Sequence, residues 1–251
     1  MPLLIKYSGA SIKEDGYIIH TTTAGNQQGA RDGTGGSGTV NESVVTSNAT
    51  SNQVQFIASL GRGSGTHYYS RYFVCFPTSD LSADSHTITS ATLNIKKNGN
   101  AFGTMSDLIC VKSNAFGGDG NTGLQASDKR AYPGYTANSS MASAVTDYSS
   151  VNTSFDGSSI NTYTSITLNA TARNDILNND VIIIMVVDYD YDYLNVVPSS
   201  VTFRNGYWYG DNQSGTSSDP FLSITYEEVV SSGTIKLNSG LIQLNSGKII
   251  L

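Results

Sequence analysis

The stretch Ser70-Arg71-Tyr72-Phe73-Val74-Cys75-Phe76 decides the fold class. Side chains of a strand alternate between two faces, so Tyr72, Val74 and Phe76 point one way and Arg71, Phe73 and Cys75 the other. Both sets are largely apolar, which fits a strand covered on both sides. Ala91-Thr92-Leu93-Asn94-Ile95-Lys96 alternates differently. Ala91, Leu93 and Ile95 share one face while Thr92, Asn94 and Lys96 take the other, as in a strand with one face in water.

Outward from these two segments the period of two recurs. Strands are expected at 16–21, 53–59, 107–112, 163–169, 181–189, 201–203 and 221–226, separated by Gly-rich or Ser/Asn-rich turns. The longest apolar run, Val181 to Val187, has seven residues between Asp180 and Asp188. It is far short of the roughly 20 needed to cross a bilayer and reads as a buried strand. Helix signals are few. Residues 171–177 can form one or two turns, with Asn169 as cap and Asn178-Asn179 as stop, and 139–145 another. Residues 24–39, with six glycines, and 115–163 read as long loops, either functional or ordered by a neighbouring subunit.

Composition narrows the function classes. Only 14% of the 251 residues are charged, against about a quarter in ordinary soluble domains, and Ser, Thr, Asn, Gly and 15 Tyr fill the remaining surface. Such an uncharged polar surface suits an exposed, long-lived particle. The net charge of -6, with 14 Lys and Arg scattered singly, disfavours nucleic-acid binding. The N-terminus lacks a basic segment followed by a long apolar stretch, so a Sec signal is not expected. Cys75 and Cys110 each sit inside an apolar strand pattern and read as buried free thiols, with a single bridge as the alternative.

Three features carry candidate chemistry. Asp188-Tyr189-Asp190-Tyr191-Asp192-Tyr193 continues the Val181 strand, and its period puts Asp188, Asp190 and Asp192 on one face, about 7 Å apart. The functional reading is a calcium site or an acidic ladder facing a ligand; the alternative is a solvated strand end with tyrosines packed on the core. Gly206-Tyr207-Trp208-Tyr209-Gly210-Asp211-Asn212 contains the single Trp. Tyr207, Trp208 and Tyr209 beside Asp211 and Asn212 suit stacking on a sugar face; the alternative is that they anchor a subunit interface or pack at the end of the sandwich. His20, His67 and His86 are isolated, without a partner at a spacing known for metal or triad chemistry. Gly61-Arg62-Gly63-Ser64-Gly65 lacks the Lys-Ser/Thr ending of a phosphate loop, and no spacing favours a glycosidase pair of carboxylates. No enzyme is expected.

The C-terminus follows its own rule. Ser231-Ser232-Gly233-Thr234-Ile235-Lys236-Leu237, Asn238-Ser239-Gly240-Leu241-Ile242-Gln243-Leu244 and Asn245-Ser246-Gly247-Lys248-Ile249-Ile250-Leu251 repeat with period seven. A Gly in every unit argues against a coiled coil. Each unit reads as a short strand followed by an Asn-Ser-Gly turn. So narrow a strip cannot bury Ile235, Leu237, Ile242, Leu244, Ile249 and Leu251 by itself and is expected to pack against a partner, most simply two copies of itself in a trimer, or to dock on a neighbouring subunit.

The segments together resemble the DNRLRE-type jelly-roll domain, a relative of carbohydrate-binding modules found on bacterial surface proteins and phage particles. Asp15-Gly16-Tyr17-Ile18 looks like its opening strand. Residues 70–76 followed by Ile88-Thr89-Ser90-Ala91-Thr92-Leu93 look like its Arg-x-x-x-x-Phe and Ile-x-x-Ala-x-Leu pair. Leu168-Asn169-Ala170-Thr171 through Ile182 and Asp219-Pro220-Phe221-Leu222-Ser223-Ile224-Thr225-Tyr226 look like its late strands. The chain departs from the family in the length of 115–163 and in lacking an acidic residue after Phe203-Arg204-Asn205.

The expectation is therefore an all-β chain: an N-terminal arm over 1–9, an antiparallel jelly-roll β-sandwich over 10–228, and a repetitive β-strand tail over 229–251. The expected role is a non-enzymatic virion-surface protein, a phage head or tail fibre or a capsid decoration subunit. Its expected partners are copies of itself, other virion or surface proteins and a host glycan, with no membrane insertion. A carbohydrate-binding module of a secreted bacterial adhesin or enzyme is the alternative, placing the chain outside the cell or on the bacterial surface. No cofactor is implied beyond the calcium considered above.

Overall fold

Alternating side chains along successive segments pair up as antiparallel strands in two sheets. The structure, a computed structural model, describes residues 1–8, 15–22, 27–32, 40–46, 52–59, 65–98, 107–137, 139–152, 159–197, 202–210 and 216–229. Its strands are β1 (Leu3–Tyr7), β2 (Asp15–Thr22), β3 (Val40–Thr46), β4 (Asn52–Ser59), β5 (Thr66–Pro77), β6 (His86–Lys96), β7 (Leu108–Lys112), β8 (Tyr163–Thr167), β9 (Val181–Asp188), β10 (Thr202–Trp208) and β11 (Phe221–Glu228). Two α-helices join them, α1 (Gln27–Asp32) and α2 (Ala170–Asn178).

The smaller sheet has the order β1-β11-β6-β8. The larger sheet forks at β5. Along one edge β5 pairs with β2, which pairs onward with β3. Along the other edge, residues 66–70 of β5 pair with β4 and residues 72–77 pair with β9, so β10 and β7 extend two separate branches. One set of pairs is nested: β1 with β11 encloses β5 with β9, which encloses β6 with β8. The innermost pair is β7 with residues 146–152, through bonds such as Tyr148 N–H to the Cys110 carbonyl at 2.8 Å.

The main core lies between the sheets. Tyr72, Val74 and Phe76 of β5 and Ile182, Ile184 and Val186 of β9 meet Ala91, Leu93 and Ile95 of β6 and Leu222 and Ile224 of β11. The opposite face of the larger sheet is also apolar, with Phe73, Cys75, Ile109, Val111, Ile183, Met185 and Val187, and it is covered in its turn. The cover is residues 113–145, which insert Phe116, Leu124, Tyr132 and Met141. Each such burial contributes about 1.5–3 kcal/mol. The outer face of the smaller sheet carries Thr92, Asn94 and Lys96 of β6, but Thr92 and Lys96 are half-buried and Asn94 is buried, so the face expected to be wet is only partly open there.

The structure corrects three readings of the chain. Residues 3–7, expected as part of an arm, form the strand β1, with Leu4 packed against the core. Part of 24–39 is α1 and β3 begins at Val40, so that stretch is not one continuous loop. Within 115–163, the stretch from Phe116 to Met141 packs on the chain's own core, through four apolar side chains that cap the second face. By contrast α2 starts as expected, with the Asn169 side chain accepting from Ala172 N–H at 3.0 Å. Residues 139–145 contribute only a single 3₁₀ turn, Met141–Ser143, capped by Ser140. Cys75 and Cys110 are free, buried, and on opposite faces of the larger sheet. The tail 230–251, including Ile235, Leu237, Ile242, Leu244, Ile249 and Leu251, lies outside the described residues.

Candidate functional site

The acidic run is not a ladder. After Asp188 the chain leaves the strand in a π-helical turn, Tyr189–Tyr193, and Asp188 caps it by accepting from Tyr191 N–H at 2.8 Å. A turn rotates successive side chains apart, so the three carboxylates face different partners. Asp192 receives both arms of the Arg71 guanidinium at 2.7 Å, a bidentate geometry. Asp190 pairs with Arg204 at 2.9 Å, and Asp188 lies 3.6 Å from the same guanidinium, which also stacks 4.9 Å over the Tyr191 ring. The calcium reading of Asp188, Asp190 and Asp192 is thereby corrected: arginines supply the cations. No group of three or more metal-ligating side chains occurs among the described residues.

Around Asp192 a buried ionic cluster ties distant segments to β5. Arg31 of α1 donates to the Asp192 carbonyl and to Asp32, both at 2.8 Å. Arg71 also donates to the Arg31 carbonyl at 3.1 Å and to that of Lys129. Lys129, fully buried, donates to the carbonyls of Ala30 and Tyr69 at 3.1 and 3.0 Å. Burial pushes the Asp192 carboxyl up, but the charge and hydrogen bonds of Arg71, with Arg31 and Lys129, outweigh it and hold the carboxyl below its ordinary value. Asp188 lacks that support: burial, only partly offset by the Tyr191 N–H and Arg204, lifts it to about 7. His20 is pressed down to about 2, chiefly by burial and then by the charges of Lys129 and Arg71. This cluster is structural, since its groups point at one another and at carbonyls.

The aromatic cluster divides. Trp208 is fully buried in the core between the sheets, edge-on to Tyr72 with ring centroids 4.9 Å apart. It offers no face to a ligand, which corrects its assignment as a sugar platform. Tyr207 and Tyr209, its neighbours in an alternating strand, are half-buried on the other side, and Asp211 and Asn212 lie outside the described residues. Tyr209 leads to a site that local patterning missed.

That site is the open face of the smaller sheet. Alternation turns Leu3, Ile5 and Tyr7 of β1, Phe221, Ser223 and Thr225 of β11, Thr92, Asn94 and Lys96 of β6, and Tyr163, Ser165 and Thr167 of β8 outward. At one end the rings of Tyr7 and Phe221 lie 5.6 Å apart, and those of Phe221 and Tyr163 lie 5.0 Å apart. Lys96 Nζ then sits 5.7 Å from the Tyr163 and Tyr209 rings alike. The Tyr209 hydroxyl donates to Asn161 at 2.7 Å, and Ser165 donates to Asn94 at 2.6 Å. Burial first, then the nearby Tyr7 and Asp219, raises the Tyr163 phenol to about 12, keeping it a neutral donor. The result is a row of half-buried aromatics beside one cation and neutral polar groups.

A second concavity, a groove of about 930 Å³, opens beside α2 and the loop after β7, with Asn114, Asp119, Asn121, Asn179 and Asp180 on its walls. At its floor Lys112 and the Tyr148 hydroxyl both donate to Asp175, at 2.8 and 2.6 Å. Its single aromatic, Tyr148, is buried, so it has no ring face on which a sugar can stack.

No family model matches this sequence, and no curated protein is significantly similar to it.

Proposed function

We propose that the chain is a non-catalytic surface module, a virion fibre or decoration subunit, that contacts host glycans through the open face of its smaller sheet. The observation that carries this reading is the asymmetry of the sandwich. The strands β5, β7 and β9 of the larger sheet are covered on both faces, while the smaller sheet leaves a row of half-buried Tyr7, Phe221, Tyr163 and Tyr209 at its surface. Aromatic rings present rigid apolar area to the C–H faces of a sugar, while Lys96 and Ser165 meet its hydroxyls. Low surface charge and the heptapeptide tail support placement on an assembled particle, where weak sites gain by repetition. The nested strand pairs support reading the sandwich as a jelly roll, which is a long hairpin wound on itself. They are also in keeping with the resemblance to DNRLRE-type domains.

A glycan array probed with the full chain tests the binding reading. Capture of at least one glycan, lost in Tyr163→Ala/Tyr209→Ala, is the expected result; capture unaltered by that pair of changes would place binding elsewhere. A second reading is a monomeric carbohydrate-binding module of a secreted adhesin or enzyme, favoured by the closure of both cores within one chain. Light scattering separates the two, since the fibre reading requires the full chain to associate.

A further inference from the structure

The smaller sheet has unequal edges. At β8 the neighbouring chain intervenes, with Leu168 bridging Ser149 and the Asn152 side chain donating to the Ser165 carbonyl at 3.4 Å. At the other edge β1 pairs, among the described residues, with β11 alone. Its outward side chains are apolar, with Leu3 62% exposed and Ile5 43% exposed. Its one charged residue, Lys6, is held by Asp80. An edge of this kind, apolar and without a free charge to blunt it, is a template for an added strand.

The chain carries a segment that matches it. Residues 229–251 follow directly on β11, the strand beside β1, and repeat Ile and Leu at the two-residue spacing of Leu3 and Ile5. They contain Lys236 and Lys248 and no acid, so the rest of the chain has 12 basic and 20 acidic residues and a net charge of 12 − 20 = −8. Glu227 and Glu228 end β11 at the level where β1 begins, with Tyr226 N–H donating to the Pro2 carbonyl at 3.3 Å.

We infer that the free edge of β1 accepts the C-terminal tail of a second copy of this chain. The tail adds as a strand whose Ile and Leu line up with Leu3 and Ile5. This rests on the reading of the tail as an assembly element. Backbone hydrogen bonds supply the attachment, and the shared period of two sets the register. A second copy fits better than the chain's own tail. Leaving β11 at the Met1 end, the first repeat of its own tail can run only parallel to β1, whereas an incoming tail is free to take the more stable antiparallel pairing. Because the donor and acceptor surfaces differ, the contact is head-to-tail, and a rotation that closes gives a ring, a trimer being the smallest beyond a pair.

Sedimentation velocity on four chains tests this: the full chain, a truncation ending at Glu228, the full chain with Leu3→Lys/Ile5→Lys, and the full chain with Leu3→Ser/Ile5→Ser. The full chain should associate, and the truncation and both double variants should lose at least tenfold in association constant. The two positions are exposed, so thermal melts of the same changes in the truncated chain should be close to that of the unmodified truncation. Double variants that associate as strongly as the full chain, beside a monomeric truncation, would overturn the β1 acceptor and leave the tail reading standing. A full chain that is monomeric, or a truncation that associates equally well, would overturn both.

Discussion

Replacing Asp192 with Asn removes one negative charge from the least solvated part of the molecule while nearly preserving side-chain shape. Around that carboxylate stand Arg71, bidentate at 2.7 Å, and Arg31 at 3.4 Å, with Lys129 buried beside them. Three buried cations face two buried carboxylates, Asp32 and Asp192; after the change they face one. Removing one partner of a buried pair costs about 3–5 kcal/mol, because the remaining charge is left desolvated. At roughly 2–4 °C per kcal/mol for a domain of this size, Tm should fall by about 6–20 °C. Denaturant unfolding followed by circular dichroism, with calorimetry for Tm, measures both. The double change Arg71→Met/Asp192→Leu removes the desolvation cost along with the attraction, so it should recover much of that loss. An Asp192→Asn loss below about 1 kcal/mol would mean that the cluster is solvated and does not lock the fold, contrary to the reasoning here.

Stability against pH carries two opposed contributions. Asp188, lifted from 3.8 to about 7, keeps a proton in the native state that the unfolded chain releases, so its contribution declines as pH rises from about 4 to 7. His20, pressed from 6.5 to about 2, refuses a proton that the unfolded chain accepts, so stability declines as pH falls below 6.5. Each slope is at most about 1.4 kcal/mol per pH unit. Urea unfolding from pH 4.5 to 7.5 should show His20→Gln gaining stability on acidification and Asp188→Asn losing it more steeply; unchanged slopes would refute the assignment. Trp208→Ala should cost about 3–5 kcal/mol through its cavity, whereas Tyr209→Ala should lower glycan capture and shift Tm by less than about 4 °C. Cys75 and Cys110 should resist Ellman's reagent until unfolding and then titrate as two thiols, burial having pushed the Cys110 thiol up to about 12.

Strand faces were legible because burial and alternation are local. Tyr72, Val74 and Phe76 oppose Phe73 and Cys75 as their sequence implies, and Asn94 and Lys96 lie on the polar outer side of β6, away from Leu93 and Ile95. What escaped depends on partners far away in sequence. The Asp-Tyr alternation continued the strand pattern on paper, yet Arg71, 121 residues upstream, engages Asp192 from within a turn. For Trp208, alternation sets it opposite Tyr207 and Tyr209 without saying which side is core. The open-face aromatics come from positions 7, 163, 209 and 221, so no window contains them together. The cover over the larger sheet was read as loop because Phe116, Leu124, Tyr132 and Met141 stand eight, eight and nine residues apart, too sparse for any periodicity.

The same contrast bears on function. Two of the segments docked around Asp192, α1 and residues 126–130, are poor in apolar side chains, whereas the turn 189–193 also packs Tyr189 and Tyr193 on the second core. Hydrophobic burial alone would hold α1 and 126–130 loosely, whereas Arg71, with donors in a fixed fork, fixes the Arg31 and Lys129 carbonyls in direction as well as distance. The second face of β5, β7 and β9 in the larger sheet is thus covered by segments tied to Arg71. On the smaller sheet, Lys96 is the one charged residue among the outward positions of 3–7, 92–96, 163–167 and 221–225, and the exposed Glu227 and Glu228 follow at the end of β11. Few charges together with exposed Tyr, Phe, Leu and Ile are the composition of a contact surface. Since the main core already satisfies the inner face, selection for stability alone does not account for apolar residues outside it. Contact with another molecule would, in keeping with the proposals that the aromatic end meets a ligand and the β1 edge an assembly partner.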